Sequence, residues 1–261
     1  MQTQAILVVS FGTSYNDSRE ITIGAIERTI AAEFPDYEVR RAFTSQMIIS
    51  KLRERDGMII DNVKEALERA VADGIRKLIV QPTHLMNGLE YMDLVEELKE
   101  FKEQFEELHL GEPLLTSEAD YQAVIAAITE MTKEYDDGET AICYMGHGSE
   151  AKANQVYERL QDMLFVAGYR NYYIATVEAE PTIEDLITAV KEGGNYKRVI
   201  LRPLMVVAGD HANNDMAGED EDSWKTRMEQ EGYEVVCVVK GLGENEAIQE
   251  IYASHVRNVI I

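Results

Sequence analysis

"KLIVQPTHLMNG", residues 77–88, aligns without a gap on "RVILRPLMVVAG", residues 198–209, and both stretches combine an apolar run, a proline and a terminal glycine. A weaker similarity joins "VVSFGTS", residues 8–14, to "CYMGHGS", residues 143–149. The two pairs have different offsets along the chain. The similarity therefore indicates two related lobes with different insertions, and not a tandem array.

Short apolar runs rich in valine and isoleucine alternate with longer segments of helical period. This alternation is typical of β-α units and of a parallel sheet that is buried on both faces. We predict an α/β fold of two similar lobes, each with a parallel β-sheet flanked by helices, and an active-site cleft between them. The predicted strands are 4–10, 37–43, 76–81, 139–145, 171–177, 197–202 and 233–239, with a short one near 108–110.

Start and stop signals delimit the predicted helices. They are Asp17 with Glu20, Asp61 before "NVKEALERAVADG", Ser117 with Asp120, Thr182 with Asp185, and Gly74 as a stop. We place the first lobe at residues 1–125 and the second at 126–261, with the boundary somewhere within 111–138. As an alternative to this division of the chain, the last helix packs back on the first lobe.

Composition excludes several classes of protein. Asp and Glu number 48 against 25 Lys and Arg, and the resulting net charge of -23 argues against a nucleic-acid partner. No apolar run approaches the roughly 18 residues of a membrane span. The first residues, "MQTQAILVVSFGTS", lack the basic region of a signal peptide, so a cytoplasmic protein is predicted. The oligomeric state, homo-oligomer or monomer, is left open.

The two cysteines suggest neither a disulfide framework nor a zinc site. Cys143 and Cys237 each lie inside an apolar strand-like run, "AICYM" and "EVVCVVK". Because free cysteine behaves as a small apolar side chain in such runs, we predict two buried thiols.

Three chemically distinctive residues follow three successive predicted strands. His147 follows strand 139–145, Glu178 follows strand 171–177, and His211 lies beyond strand 197–202 in "VVAGDHANND". Because the carboxyl ends of parallel strands meet at one sheet edge, we expect these side chains to converge there. Two imidazoles and a carboxylate suit a divalent transition metal with open coordination positions.

Other roles for these residues stay open on the spacing alone. The histidines could instead accept protons, since imidazole titrates near neutral pH, or be ordinary loop residues. Glu180 competes with Glu178 as the relevant carboxylate in "VEAEP". His84, in "QPTHLMNG", is a candidate pocket residue, whereas His109 and His255 are interpreted as structural.

Several stretches together carry a resemblance to a known family. They are "ILVVSFGTSYNDSRE" (6–20), "RAFTSQMIISKLRERDG" (41–57), "MGHGS" (145–149), "VEAEP" (177–181), "LRPLMVVAGDHANNDMAGEDEDSWK" (201–225) and "GLGEN" (241–245). The chain resembles, over nearly its whole length, the anaerobic sirohydrochlorin cobaltochelatases, which are CbiK-type class II chelatases. "PLMVVAGDHANNDMAG" is the most specific of these motifs.

The resemblance implies an ATP-independent lyase that inserts Co²⁺, as substrate, into the tetrapyrrole sirohydrochlorin on the anaerobic route to cobalamin, with no organic cofactor. Carried over residue by residue, it places the catalytic histidines at His147 and His211 and the metal site at His147, Glu178 and His211. Substrate contacts are predicted at Ser10, Phe11, Gly12, Thr13, Ser14 and His84. Sirohydrochlorin is a polycarboxylate, so local donors must offset the acidic charge of the chain. Further candidate donors to the substrate carboxylates are Arg40, Arg41, Lys225 and residues 241–245.

Three other interpretations compete with cobalt insertion. A relative of the same fold could insert Fe²⁺ or Ni²⁺, because ligand identity does not decide metal choice. A non-catalytic metal or tetrapyrrole carrier would bind without turnover. A flavodoxin-like protein is disfavoured, because the chain has two histidines at the expected site and no phosphate loop.

Overall fold

The computed structural model describes residues 3–260, which form two compact α/β units. The first unit takes the described residues up to Thr116 together with those from Glu246 onward, and the second is Ser117–Asn245. The last helix is therefore grouped with the first unit, where the Tyr252 hydroxyl donates to the Thr83 carbonyl at 2.9 Å. Within residues 3–260, no helix combines the length and apolarity that a membrane span requires.

Each unit contains one four-stranded parallel sheet. The strands are β1 Gln4–Ser10, β2 Glu38–Phe43, β3 Lys77–Pro82, β4 Glu107–Leu110, β5 Thr140–Gly146, β6 Tyr172–Thr176, β7 Arg198–Pro203 and β8 Glu234–Cys237. The order is β2-β1-β3-β4 in the first sheet and β6-β5-β7-β8 in the second. The first strand of each unit, β1 or β5, is thus one of the two inner strands of its sheet, and we call these two the central strands. The prediction of two parallel α/β sheets is confirmed.

Helices flank both sheets. Those of the first unit are α1 Asn16–Ile21, α2 Ile23–Glu33, α3 Gln46–Asp56, α4 Val63–Ala72, α5 Leu89–Phe101 and α10 Glu246–Val259. Those of the second are α6 Glu118–Glu130, α7 Gln155–Val166, α8 Ile183–Gly193 and α9 Trp224–Gln230. Short 3-10 helices occupy Lys102–Gln104, Lys133–Tyr135, Lys152–Asn154 and Leu242–Glu244, and a π-helix occupies Ala212–Met216.

The central strands are buried on both faces. Ala5 to Val9 of β1 and Ala141 to Met145 of β5 are at most 1% exposed. This explains why both sequences read as continuous apolar runs instead of alternating ones. Cys143 is fully buried, as predicted, and burial raises the pKa of its thiol. Cys237, on edge strand β8, is only partly buried.

Two of the four predicted helix starts are confirmed and two are wrong. Ser117 and Thr182 each accept a hydrogen bond from the third residue of their helices. Asp61 does not cap α4, because its carboxylate binds Arg69, and Asn62 takes the capping position instead. The Asp17–Glu20 pair also fails. Helix α1 begins at Asn16, one residue before Asp17. Asp17 therefore lies within the first turn, and no side-chain hydrogen bond caps the helix. Gly74 follows the end of α4 with φ 79°, as predicted for a helix stop.

Candidate metal centre

The carboxyl edge of the second sheet brings together His147, Glu178 and His211. His147 directly follows β5, the central strand, and Glu178 lies two residues beyond the neighbouring β6. His211 lies beyond β7, on the other side of β5, immediately before the π-helix. One ligand atom from each of the three residues lies within 4.8 Å of the other two.

The Glu178 carboxylate lies between the two imidazoles. Its Oε2 is 3.7 Å from Nδ1 of His147, and its Oε1 is 3.8 Å from Nε2 of His211. The two rings are in edge-to-face contact, with centroids 4.9 Å apart. Two ligand atoms on one tetrahedral ion at about 2.1 Å are about 3.4 Å apart. The 3.8 Å separation between Glu178 and His211 is close to this value. Nδ1 of His147 also lies 3.0 Å from the Gly148 carbonyl oxygen, so this ring would bind the ion either by turning Nδ1 away from that oxygen or through Nε2.

Two glycines give His147 its position. Gly146 ends β5 where a Cβ atom would lie 2.3 Å from Cε1 of Tyr157. Gly148 has φ 92°, and its Cβ would lie 2.8 Å from the Ala179 amide nitrogen. A side chain at either position would collide with its neighbours, and Gly148 also needs a backbone conformation that other residues rarely adopt. The "GHG" motif thus sets the histidine in a tight turn at the sheet edge.

Glu178 is positioned by continuation of the β5–β6 ladder. Its amide donates to the His147 carbonyl at 2.9 Å, one step beyond the bond from Val177 to Gly146. The Thr176 hydroxyl closes the following turn on the Ala179 carbonyl at 2.6 Å. Glu180 also lies in this loop, but within residues 3–260 it does not belong to the cluster of ligand atoms. The geometry favours Glu178.

His211 is held by a buried turn. Ala212 and Met216 of the π-helix are fully buried and anchor the segment on the second unit's core. The preceding loop is bonded to the turn at 241–243, where the Leu242 amide donates to the Met205 carbonyl at 2.8 Å. Single π-turns occur frequently at functional sites.

The three candidate ligands are open to solvent. The exposed fraction is 47% for the His147 side chain, 55% for Glu178 and 31% for His211. An incoming ion can therefore reach the donor atoms, whereas a closed structural metal site would bury them.

The predicted substrate contacts all belong to the first unit. Ser10 is buried and its Oγ accepts a bond from the Thr83 hydroxyl at 2.7 Å, whereas Phe11 is 44% exposed. Gly12 has φ 99°, and Thr13 and Ser14 are buried. His84 is also buried, and neither ring nitrogen has a hydrogen-bond partner in the described residues. Burial lowers the pKa of His84 to about 4.

The three candidate cations already have carboxylate partners. Arg41 is paired with Glu27 and Arg40 with Glu38 and Asp73, while Lys225 binds Glu219 at 2.6 Å. A substrate carboxylate would have to compete with these intramolecular pairs. Backbone amides and hydroxyls are therefore better candidates for offsetting the acidic charge.

Sequence reasoning missed two supporting side chains. Asp215 Oδ2 lies 2.7 Å from Nδ1 of His211, and the i, i+4 spacing in "HANND" was the available signal. The Tyr157 ring packs where Gly146 lacks a side chain, and its hydroxyl accepts a bond from the Gly148 amide at 3.4 Å. No local sequence pattern predicts the contact of Tyr157 with Gly146, because Tyr157 belongs to α7, the helix that follows the His147 loop.

Comparison with known proteins gives consistent matches. Residues 4–261 match the family model described as cobalt chelatase (CbiK). The chain is 40% identical over 257 residues to the sirohydrochlorin cobaltochelatase of Salmonella typhimurium, covering 98% of this chain and 96% of that protein. It is 30% identical over 257 residues to the sirohydrochlorin cobaltochelatase CbiKC of Nitratidesulfovibrio vulgaris, covering 98% and 90%.

Solved structures share the fold at low sequence identity. Bacillus subtilis SirB, solved with Fe³⁺, gives a TM-score of 0.66 at 13% identity and covers 98% of this chain and 95% of its own. CbiX, described as the terminal enzyme for siroheme biosynthesis in denitrifying bacteria, gives 0.59 at 16% identity and covers 99% and 100%. The family model spans nearly the whole sequence, and both relatives align over almost their full length. The chain therefore belongs to the cobalt chelatase (CbiK) family.

Proposed function

We propose that this protein is a sirohydrochlorin cobaltochelatase, a lyase that inserts Co²⁺ into sirohydrochlorin without ATP on the anaerobic route to cobalamin. Family membership and the activity named for both relatives support the proposal. The observation that carries it is the cluster of His147, Glu178 and His211 ligand atoms within 4.8 Å of one another. Imidazole and carboxylate donors suit a divalent transition metal such as Co²⁺.

The arrangement supplies what metal insertion needs. Two pyrrole N–H protons must leave the macrocycle while the ion exchanges water for four ring nitrogens. Exposed protein ligands can hold the ion at the macrocycle face and release it, and holding the two reactants together lowers the entropic cost of their encounter. A cluster histidine that has released the ion to the ring nitrogens is the proposed acceptor of one proton, and the other can leave to the solvent to which the cluster is open.

An anaerobic absorbance assay tests the activity. Sirohydrochlorin is mixed with Co²⁺, Fe²⁺ or Ni²⁺ in turn, with and without the wild-type protein, and product is followed over many turnovers. We expect the largest rate enhancement with Co²⁺. A larger enhancement with Fe²⁺ or Ni²⁺ would reassign the metal, and stoichiometric binding at the uncatalysed rate would identify a carrier.

Replacing Glu178 by glutamine is expected to lower insertion about 10-fold to 100-fold. The amide keeps the shape of the side chain but removes the negative charge that attracts a cation between the two imidazoles. Steady-state rates at varied Co²⁺ concentration measure the effect. Glu180→Gln is the matched control, since it makes the same change two residues along the same exposed loop. A larger loss in Glu180→Gln than in Glu178→Gln would assign the metal carboxylate to Glu180.

The substrate contacts at Ser10 to Ser14 and His84 are part of the same proposal. These contacts rest on the family motif "SFGTS" and on the buried ring of His84, whose nitrogens have no hydrogen-bond partner within residues 3–260. A cytoplasmic location and the absence of nucleic-acid and membrane partners stay predictions from the sequence, which makes no choice between monomer and homo-oligomer.

A further inference from the structure

The two histidines of the candidate metal centre differ in what holds their rings. Nδ1 of His211 lies 2.7 Å from a carboxylate oxygen of Asp215. Nδ1 of His147 instead lies 3.0 Å from the carbonyl oxygen of Gly148, the next residue in the chain. Hydrogen bonds to an ionised acceptor are shorter and about twice as strong as those between neutral groups. The His211 ring is therefore the more firmly oriented of the two.

The π-helix places Asp215 behind the His211 ring. The two residues are four apart, so they lie on the same side of one helical turn. Ala212 and Met216, the next residue after each of them, are fully buried and fix that turn. Asp215 thus meets the Nδ1 side of the ring, while Nε2 faces Oε1 of Glu178 at 3.8 Å.

The contact also selects one tautomer. A carboxylate can only accept hydrogen bonds, so Nδ1 of His211 carries the proton that is donated to Asp215. In a neutral imidazole the lone pair is then on Nε2, the nitrogen that faces Glu178 and the candidate metal position. Carboxylate partners of metal-binding histidines commonly fix ring orientation and increase ligand basicity in this way.

We propose that Asp215 is a positioning residue for cobalt insertion: it holds His211 in the Nδ1–H tautomer with Nε2 directed at the ion. The proposal rests on the proposed function, because it assumes that His211 binds Co²⁺. Asp215 does not itself belong to the cluster of ligand atoms in residues 3–260 and acts only through His211.

The test is a Co²⁺ titration of the protein without tetrapyrrole, followed by the visible absorbance of bound Co²⁺, for Asp215→Asn, His211→Ala and wild type. The amide can turn either an oxygen or an NH₂ group toward Nδ1, so it no longer imposes one tautomer. We expect Asp215→Asn to weaken Co²⁺ binding about 10-fold to 100-fold and to alter the absorbance bands. The KM for Co²⁺ should rise, while the KM for sirohydrochlorin and the thermal midpoint stay unchanged. Asp215→Glu, which restores a carboxylate, should recover part of the affinity.

Asp220→Asn is the control, because it removes one negative charge from a nearby exposed loop. Wild-type Co²⁺ affinity and bands in Asp215→Asn, together with loss of binding in His211→Ala, would overturn the role of Asp215 alone. Wild-type Co²⁺ binding in His211→Ala would overturn the proposed metal site itself. An equal loss in Asp220→Asn and Asp215→Asn would reduce the effect to net charge and also overturn the inference.

Discussion

Replacing His211 by alanine is expected to reduce insertion of Co²⁺ into sirohydrochlorin by about 100-fold or more while leaving the fold intact. The substitution removes one of the two imidazoles, and Glu178 then has only His147 beside it in the cluster. The side chain is 31% exposed at the sheet edge, so the space left by its removal is open to water and is not a sealed cavity in the core. The anaerobic absorbance assay measures the rate, and circular dichroism with the thermal midpoint checks the fold.

His147→Ala is expected to cause a loss of similar size, because His147 contributes the other imidazole at the same sheet edge. His109→Ala is the matched control: His109 lies on edge strand β4 of the first unit, 3.4 Å from Glu107 and outside the cluster. That variant should retain wild-type turnover. Full activity in either cluster variant would remove that histidine from the mechanism, and a comparable loss in His109→Ala would show that the assay reports general damage.

The convergence of the candidate site could be predicted from sequence, because it depends only on strand order and direction. Once β5, β6 and β7 are assigned as parallel neighbours, the residues that follow them must share an edge. All eight predicted strands lie within two residues of the observed ones at each end. Continuous apolar runs identify buried parallel strands well, since both faces must be apolar.

The internal repeat shows that one residue of the cluster, His147, has no histidine at its equivalent position in the first unit. Val9 pairs with Pro82 as Met145 pairs with Pro203, so the two central strands occupy equivalent positions. This register makes Gly12 equivalent to Gly148, and both have a positive φ. It differs by one residue from the alignment of residues 8–14 on 143–149, which pairs Gly12 with His147 and is therefore wrong. The position of His147 is then taken in the first unit by Phe11. Both units thus have the glycine turn after the central strand, but only the second has a metal-binding residue, His147, in it.

The roles of individual polar side chains could not be predicted from the sequence, because several neighbours compete for each charged group. Asp61 is a good capping residue by type, but Arg69 takes its carboxylate, and Asn62 caps the helix. Likewise Lys225 is a candidate for substrate carboxylates by charge, but Glu219 already holds it. Composition identifies the available groups, and only the folded geometry shows which of them are engaged.

A buried histidine outside the cluster is expected to make the stability of the protein depend on pH. His84 is 9% exposed and neither of its ring nitrogens has a hydrogen-bond partner in the described residues, although Oε2 of Glu90 lies 3.6 Å from Nε2. Burial lowers its pKa from 6.5 to about 4. Between these two values the unfolded chain binds a proton on His84 and the folded chain does not. The free energy of unfolding should therefore fall as the pH drops from 6.5 to 4, by roughly 3 kcal/mol from this group.

His84→Leu should remove that dependence. The carboxylates that also titrate in acid are common to both proteins, so they cancel in the difference between variant and wild type. We expect the variant to be at least as stable near pH 7.5, because it no longer buries two unsatisfied nitrogens, and to gain about 3 kcal/mol relative to wild type by pH 4. Urea unfolding at a series of pH values gives the free energy of unfolding of wild type and variant as a function of pH.

His84→Gln is a second variant for the case that leucine packs poorly, because glutamine is polar but does not titrate. It should show the same change in the pH dependence of the free energy of unfolding. Parallel curves for wild type and both variants would mean that His84 is protonated equally in the folded and unfolded chains, and hence that its ring has a partner or solvent in the native state.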